Sequence, residues 1–335
     1  MKKLPFFSLV CLLILACHGA QAKQAKALPG LDSILGDAIK AFTENNYRAT
    51  LVRHYNRNQL QTMSILHRFS GEGSFEELHH LSGAQRKALR INDVVVGQVE
   101  DNPPFFASDG PKRAYSTNPI LDKIRRINPS YGYTLRGEDQ IAGRNALILE
   151  VRARESRYGY YLWVDEASGL VSKLTIVSTQ NRLIEQFLMT SLEVLKGEVP
   201  LSEFSVGLLK MAQNTKDLTP RFAQPTSPEA SPIESKTWQV NWMPRGYVLK
   251  KRHAKTVNDY EEMHLLYSDG IASISVVIAK TSPELLRERR TRPRVTLKDG
   301  TMTLFDWVNK QHQITVIGEI PKETAEKIAR SVAYR

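Results

Sequence analysis

The chain has 335 residues, 41% of them apolar, and its 46 Lys and Arg against 35 Asp and Glu give a formal charge of +11. This apolar content supports a sizeable core and excludes global disorder. At about 150 residues per domain, the length predicts two domains. The two cysteines, Cys11 and Cys17, both lie close to the amino terminus. The rest of the chain therefore has no disulfide framework, cysteine-ligated metal or cysteine nucleophile.

The first residues have the organisation of an export signal. Lys2 and Lys3 precede the apolar segment Leu4–Ala16, which is too short to cross a bilayer of about 30 Å. Ala20-Gln21-Ala22 then supplies a small-x-small cleavage site. We predict a signal peptide over residues 1–22 and an exported protein. The alternative is a lipoprotein that carries its lipid on Cys17, because the preceding residues loosely fit a lipobox.

Export changes which anionic partners the positive charge predicts. An exported protein rarely meets nucleic acid, so we expect no nucleic-acid partner. The expected anionic partners are lipid headgroups, an anionic glycolipid or an acidic protein surface.

A change in composition divides the chain. Residues 213–235 are polar and proline-rich, which predicts an extended linker. The linker prolines are Pro220, Pro225, Pro228 and Pro232. We therefore expect an N-terminal domain at 23–212 and a C-terminal domain at 236–335. The C-terminal part has 18 Lys and Arg against 11 Asp and Glu, so most of the positive charge lies there.

The N-terminal part begins with a helical pattern at Leu31–Phe42, where apolar residues recur on one face. A series of short strand-like segments follows, separated by turn residues. The predicted strands are Tyr47–Tyr55, Gln59–Phe69, Ser74–Leu81, Ala88–Val99, Gly132–Glu138, Ala146–Ala153, Tyr158–Val164, Leu170–Thr179 and Leu183–Val194. Pro119–Asn128 has the pattern of an inserted helix. This spacing is typical of an antiparallel meander, barrel or sandwich.

The C-terminal part is also predicted to be rich in strands. Ala272–Ile278 alternates strictly between two faces, and Ser268-Asp269-Gly270 forms the turn before it. Two further strands are predicted at Thr301–Leu304 and Gln313–Gly318. A closing helix is predicted over Lys322–Val332. The expected fold class is mainly β with some α, in two domains.

Motifs for catalysis and cofactor binding are missing. The sequence contains no H-E-x-x-H, no G-x-S-x-G and no Walker sequence. His79 and His80 are adjacent, so on a strand they point to opposite faces and cannot chelate one metal together. We expect no enzyme, no cofactor and no metal site.

The aromatic segment Tyr158–Val164 has large side chains on both faces. One interpretation is a central strand covered on both sides. The other is a strand with one face in the core and the other lining an apolar cavity for lipid or peptide. On that second interpretation, Tyr160, Leu162 and Phe106 are the candidate cavity residues.

A basic segment near the carboxyl terminus is a candidate anion-binding loop. Its five arginines are Arg287, Arg289, Arg290, Arg292 and Arg294. Arginine presents a fork of donors that suits carboxylate and phosphate. Lys250, Lys251 and Arg252 form a second cluster. A solvated run of charges without a partner is the alternative interpretation.

Several ordered motifs resemble one family, the RseB/MucB periplasmic regulators of the envelope-stress sigma factor. In the N-terminal part they lie in Tyr47–Val99, Tyr160–Asp165, Gly169-Leu170 and Glu185-Gln186-Phe187. In the C-terminal part they are Trp242–Tyr247, Leu266–Gly270, Val316–Pro321 and Thr324-Ala325. Each motif alone is weak, but the ordered set spans almost the whole mature chain.

The resemblance implies an unclosed antiparallel β-barrel with helices, like the lipoprotein carriers LolA and LolB, followed by a smaller β-rich domain. It implies a negative regulator that binds the periplasmic part of a membrane anti-sigma factor and protects it from site-1 proteolysis. Mislocalised lipopolysaccharide or lipoprotein acyl chains are the implied release signal. The alternative is a periplasmic carrier of lipid or lipoprotein.

Overall fold

The computed structural model describes residues 30–55, 58–92, 94–99, 105–107, 130–214, 238–257, 260–281, 294–309 and 311–334. Two antiparallel sheets, of eleven and six strands, form the two parts of the fold. None of the described helices is long and apolar enough to cross a membrane. The predicted signal peptide, residues 1–22, and the predicted helix Pro119–Asn128 lie outside the described residues.

The N-terminal part begins with helix α1, Leu31–Glu44. The strands that follow it are β1 Tyr47–Tyr55, β2 Gln59–Ser70, β3 Gly73–His80, β4 Arg86–Ile91, β5 Val94–Val99, β6 Phe105–Ala107, β7 Tyr131–Ile141, β8 Arg144–Ala153, β9 Gly159–Asp165, β10 Val171–Val177 and β11 Leu183–Val194. A 3-10 turn at Leu201–Glu203 and helix α2, Val206–Asn214, end this part.

The eleven strands form one sheet in the order β6-β5-β4-β3-β2-β1-β11-β10-β9-β8-β7. Nearly all neighbours are consecutive in the chain, so most connections are hairpins, and β1 pairs with β11. The end strands β6 and β7 are not paired with each other, so the described sheet is not closed. Helix α1 packs its apolar stripe, including Ile34, Ala38 and Phe42, on the inner face. Burial of this stripe holds α1 on the sheet, because apolar area removed from water gives about 25 cal/mol per Å².

The outer face of the same sheet has a separate cluster beneath α2. Phe75, Leu89 and Val96 of the sheet pack there against Phe204 and Leu208. A buried carboxylate anchors the start of α2, since Glu77 of β3 accepts hydrogen bonds from the backbone N–H and hydroxyl of Ser205. The sheet is therefore covered by a helix on each face.

The C-terminal part has eight strands and one helix among its described residues. They are β12 Trp238–Val240, β13 Val248–Val257, β14 Tyr260–Ser268, β15 Ser273–Lys280, β16 Arg294–Asp299, β17 Met302–Asn309, β18 His312–Gly318, α3 Lys322–Arg330 and β19 Val332–Tyr334. Six strands form a sheet in the order β13-β14-β15-β18-β17-β16, and β12 pairs with β19. The apolar face of α3, with Ala325 and Ile328, packs on the sheet beside Val276 and Phe305.

The predicted fold class is confirmed: the protein is mainly β, with an unclosed antiparallel sheet and a smaller β-rich part. The helix at 31–42 and most predicted strands of the N-terminal part are confirmed within a few residues. The predicted single strand Ala88–Val99 is wrong, because the chain turns at Asn92, whose φ is 51°, and forms β4 and β5.

Other boundaries differ from the predicted ones. Helix α2 extends to Asn214, so residues 213 and 214 of the predicted linker are helical, and 215–235 lie outside the described residues. Helix α3 ends at Arg330, and Val332 starts β19 by pairing with Val240. Helix α2 and strands β6, β12, β13, β14, β16 and β19 had no sequence prediction. The proposed domain limits, 23–212 and 236–335, stay predictions.

Candidate functional site

The inner face of β9 carries two of the predicted cavity residues. Tyr160 and Leu162 are almost fully buried, in the same apolar cluster as the stripe of α1. The Tyr160 ring also lies beside Tyr131, with their centroids 6.4 Å apart. Phe106 lies in the edge strand β6, and its side chain is outside the described residues. In this conformation Tyr160 and Leu162 are core residues, and their contact with a ligand stays a prediction.

The outer face of β9 carries Tyr161 and Trp163, which are half-buried under polar groups. The indole N–H of Trp163 donates to Asp139 Oδ2 at 2.8 Å, and the Lys173 ammonium lies 4.0 Å from the ring centroid. The Tyr161 hydroxyl donates to Glu150 Oε1 at 3.0 Å. The strand therefore has one face in the core and the other against charged side chains, as neither sequence interpretation foresaw.

Glu150 links this outer surface to β7 and β8. Burial acts to raise the pKa of its carboxyl, but hydrogen bonds from Arg152 and Arg136 outweigh burial and lower the pKa below its ordinary value. The carboxylate stays ionised and holds the two guanidinium groups and the Tyr161 hydroxyl at one point. Together with Asp139 and Lys173, the named side chains of this surface carry two negative and three positive charges, and both guanidinium groups are already paired with Glu150.

A row of four polar side chains crosses the inner face near the other end of the sheet. Tyr47, His67, Glu76 and Arg90 lie directly opposite one another on β1, β2, β3 and β4. Tyr47 and Glu76 are 0% and 2% exposed. Arg90 Nη2 lies 3.1 Å from Glu76 Oε2, which compensates the buried charge.

Two members of this row have contrasting hydrogen bonding. His67 Nδ1 donates to the carbonyl of Asn45 at 2.7 Å, and Nε2 accepts from the Ser74 hydroxyl at 2.9 Å. Burial lowers the pKa of His67, so the ring stays neutral. The Tyr47 hydroxyl has no hydrogen-bond partner among the described residues. Burial, with the Glu76 charge adding to it, raises the pKa of Tyr47, so the phenol stays protonated.

The basic cluster Lys250, Lys251 and Arg252 lies on β13, at one edge of the six-stranded sheet. All three side chains are exposed. None of them forms an ion pair with an acidic side chain in the described part of the chain. A bulge between Leu249 and Lys251 interrupts the pairing with β14. Lys251 and Arg252 pair with Leu266 and Leu265, so their side chains lie on opposite faces of β13. The cluster therefore places exposed cations along the edge of the described sheet, without an acidic ion-pair partner among the described residues.

The second basic segment is only partly described. Arg287, Arg289, Arg290 and Arg292 lie outside the described residues. The backbone of Arg294 begins β16, where it pairs with Asp306, so this residue belongs to a strand rather than to the predicted loop. An anion site at the other four arginines stays a prediction.

Comparison with known proteins places the chain in a family. A model of the MucB/RseB N-terminal domain matches residues 31–215, and a model of the MucB/RseB C-terminal domain matches residues 232–333. The chain belongs to the MucB/RseB family. This confirms the resemblance derived from the ordered motifs.

Curated relatives match the chain over its length. The sigma-E factor regulatory protein RseB of Haemophilus influenzae is 23% identical, with 100% of both chains covered. The sigma factor AlgU regulatory protein MucB of Pseudomonas aeruginosa is 26% identical, with 96% of both chains covered. A solved structure of the Pseudomonas aeruginosa MucA/MucB complex is 21% identical, covers 91% of this chain and 98% of that chain, and has a TM-score of 0.66. The family consists of regulatory proteins and is not enzymatic.

Sequence reasoning missed the polar row of the inner face. Its four residues are separated by 9 to 20 positions in the chain, and only the register of four strands brings them into line. The one available signal is a polar residue at an inward position of a strand, as at His67 and Glu76. The alternation alone does not say which of these residues become neighbours.

Proposed function

We propose that this protein is a negative regulator of an envelope-stress sigma factor, and that it acts in the periplasm. On this proposal it binds the periplasmic part of an anti-sigma factor anchored in the inner membrane. It thereby protects that factor from site-1 proteolysis. A lipid, lipopolysaccharide or lipoprotein acyl chain releases the complex.

The observation that carries the proposal is the match to sigma factor regulatory proteins over the full length, with both family domains in order. MucB has been solved in complex with MucA(peri), which is the kind of partner we propose here. The predicted signal peptide at residues 1–22 supports the same compartment. Release by a ligand follows from linkage: a ligand that binds only the released form shifts the equilibrium by its differential affinity for the two states.

We assign the anionic contact of this function to the basic cluster on β13. Lys250, Lys251 and Arg252 project from a strand edge without neutralising partners in the described structure. Three exposed cations attract an acidic segment of a partner and contribute about 0.5 kcal/mol each at low salt. The predicted Arg287–Arg294 segment would add to the same positive field.

The first test is direct binding. The chain from Lys23 is titrated with the purified periplasmic domain of the anti-sigma factor from the same organism, by isothermal calorimetry at low salt. The proposal expects a stable complex, and addition of the site-1 protease then cleaves the bound factor more slowly than the free one. A chain that is folded by circular dichroism and does not bind contradicts the proposal.

The charge assignment has its own variant and control. The triple substitution Lys250→Glu, Lys251→Glu, Arg252→Glu is expected to weaken binding by about tenfold at low salt, and less at high salt. Arg86→Glu with Lys87→Glu, which changes two exposed cations on β4, is expected to leave the affinity unchanged. Equal effects of the two sets would refute a specific role for β13.

A carrier of lipid or lipoprotein is the alternative function. Mass spectrometry of lipids that copurify with the protein distinguishes it from the regulator. A stoichiometric acyl lipid in the isolated protein, together with no anti-sigma binding, favours the carrier. Release of the anti-sigma factor on titration with lipopolysaccharide favours the regulator.

A further inference from the structure

The two sheets meet at an ion pair that is sealed from solvent. Arg157 lies in the loop between β8 and β9, and Asp269 lies in the turn between β14 and β15. Arg157 Nε donates to Asp269 Oδ2 at 2.7 Å, and the two side chains are 2% and 0% exposed. The pair joins one sheet to the other, since its members are 112 positions apart in the chain.

Groups from both parts complete the hydrogen bonding of this pair. Asp269 Oδ1 accepts from the backbone N–H of Ile271 at 2.9 Å and of Ala272 at 2.7 Å, and Oδ2 also accepts from the Tyr131 hydroxyl at 3.2 Å. Arg157 donates to the carbonyls of Glu155 and Arg245, and its guanidinium lies 4.8 Å from the centroid of the Tyr247 ring. Such a network is favourable only while all its members stay together, because a buried charge without a partner is costly.

Further contacts surround the pair. Glu185 of β11 accepts from the backbone N–H of Thr301, in the turn between β16 and β17, at 3.1 Å. The Tyr158 hydroxyl donates to the carbonyl of Ile320 at 3.1 Å, and the Thr324 hydroxyl donates to the carbonyl of Ser156 at 2.9 Å. The turns before β15 and β17 and the segment before α3 all lie at one end of the smaller sheet. This end of the C-terminal sheet is therefore the docked end.

The interface between the two parts is more polar than the apolar core of either part. Ile271 is the one residue of the C-terminal part that belongs to the N-terminal apolar cluster among the described residues. The other contacts named above are an ion pair, hydrogen bonds and the contact of Arg157 with the Tyr247 ring. Water can replace the hydrogen bonds when the sheets separate. Polar interfaces between domains permit the domains to move relative to each other. A buried ion pair in such an interface fixes the relative orientation of the domains more than it adds to the net free energy of folding. Each sheet also has its own apolar cluster, which separation leaves intact.

We propose that Arg157 and Asp269 form a reversible latch that sets the orientation of the two parts, and that opening the latch leaves each part folded. The closed state has one orientation because both charges must be satisfied together. The open state has many orientations because the contacts between the two parts that fix one orientation are then broken. This inference concerns the conformation of the protein and does not depend on the proposed function.

The latch has a consequence for the proposed regulator, and this step rests on the proposed function. A partner that contacts both parts binds the closed state more tightly, because the entropy of interdomain motion has already been lost. By linkage, a ligand that opens the latch releases that partner.

The test uses the chain from Lys23, which contains no cysteine. Spin labels at Gln180→Cys and Lys322→Cys, both exposed, report the distance between the two parts by double electron–electron resonance. The closed protein is expected to give one narrow distribution. In Asp269→Asn, the Oδ1 acceptor of the turn is retained, but an amide group faces Arg157, so a broad or shifted distribution is expected. Glu326→Gln, which breaks an exposed ion pair with Arg330 inside the C-terminal part, is the control and should keep the narrow distribution.

A cross-link beside the latch gives a second readout, at a position where a Cβ on Gly246 also lies 3.6 Å from Arg157 Nη2. A Cβ placed on Gly246 lies 3.7 Å from Ser130 Cβ, within the range of about 3.5–4.5 Å for a disulfide. Ser130→Cys with Gly246→Cys is expected to oxidise readily, although the φ of +95° at Gly246 makes the cysteine there strained. Adding Asp269→Asn is expected to slow the oxidation by about tenfold or more, equivalent to about 1.4 kcal/mol.

Two results overturn the latch. One is a distance distribution and an oxidation rate that Asp269→Asn leaves unchanged. The other is loss of the circular dichroism of both parts in Asp269→Asn, because the contact would then belong to a single cooperative fold. Failure of anti-sigma binding with a normal response of the labels contradicts the proposed function alone.

Discussion

Replacing Tyr47 by Phe should stabilise the protein, although Tyr47 is among its most buried side chains. The residue is 0% exposed, and its hydroxyl has no hydrogen-bond partner among the described residues. Burying such a hydroxyl costs about 1–3 kcal/mol in protein mutational data. The ring contacts survive the change, since the stack on His67 at 5.0 Å and the edge contact with Phe42 at 6.1 Å involve only the ring. The expected gain in the free energy of unfolding is therefore about 1–3 kcal/mol.

The assay is urea denaturation followed by far-ultraviolet circular dichroism. With a slope of about 2–3 kcal/mol per M, the gain moves the midpoint up by about 0.3–1.5 M at unchanged slope. Tyr161→Phe is the matched control, because its hydroxyl donates to Glu150 at 3.0 Å. Loss of that bond is expected to lower stability by about 0.5–1.5 kcal/mol. A destabilised Tyr47→Phe would refute the reasoning, since the hydroxyl would then have a partner in solution.

Three further predictions concern pH and backbone conformation. Hydrogen bonds that outweigh burial hold the pKa of Glu77 below 4.5. The wild-type protein should therefore lose stability as the pH falls below about 4.5. Glu77→Gln should lose less stability than wild type between about pH 5 and pH 3, as measured by urea denaturation. Burial lowers the pKa of His67 from 6.5, so its neutral form stabilises the fold above that pH. Between pH 6.5 and 5.5, wild type should lose up to about 1.4 kcal/mol more than His67→Gln; parallel curves would contradict this. Gly169→Ala and Gly143→Ala both place alanine at a φ near +75°, but only the first also meets α1, at 3.0 Å. Gly169→Ala should lower the free energy of unfolding by about 1–3 kcal/mol more than Gly143→Ala, as measured by thermal unfolding. Equal losses in the two variants would contradict a steric contact with α1.

Several elements could be predicted because their signals are local. The stripe of α1 and the strands β1, β2 and β11 follow from apolar spacing and turn residues. The strand β13 was missed because its consecutive residues Lys250, Lys251 and Arg252 obscure the alternation of an edge strand. The separation of β4 from β5 was missed because Asn92 adopts a left-handed conformation that the sequence Asn-Asp does not require.

The candidate site was less predictable than the strands. The Lys250–Arg252 cluster was identified from its charge, and its position on a sheet edge came from the structure. Asp269 was predicted only as part of a turn, and Arg157 was not singled out at all. Their pairing depends on the docking of two sheets, which no periodicity within either sheet encodes.

The sequence by itself determined the mainly β class, the division into two parts, the uneven charge and the family, because these depend on composition, local periodicity and ordered motifs. Only the tertiary structure decided which polar side chains face one another across β1 to β4, and which end of the smaller sheet docks on the larger one. The physical reason is that a strand pattern specifies a buried face, whereas strand order, register and domain docking depend on contacts between residues far apart in the chain.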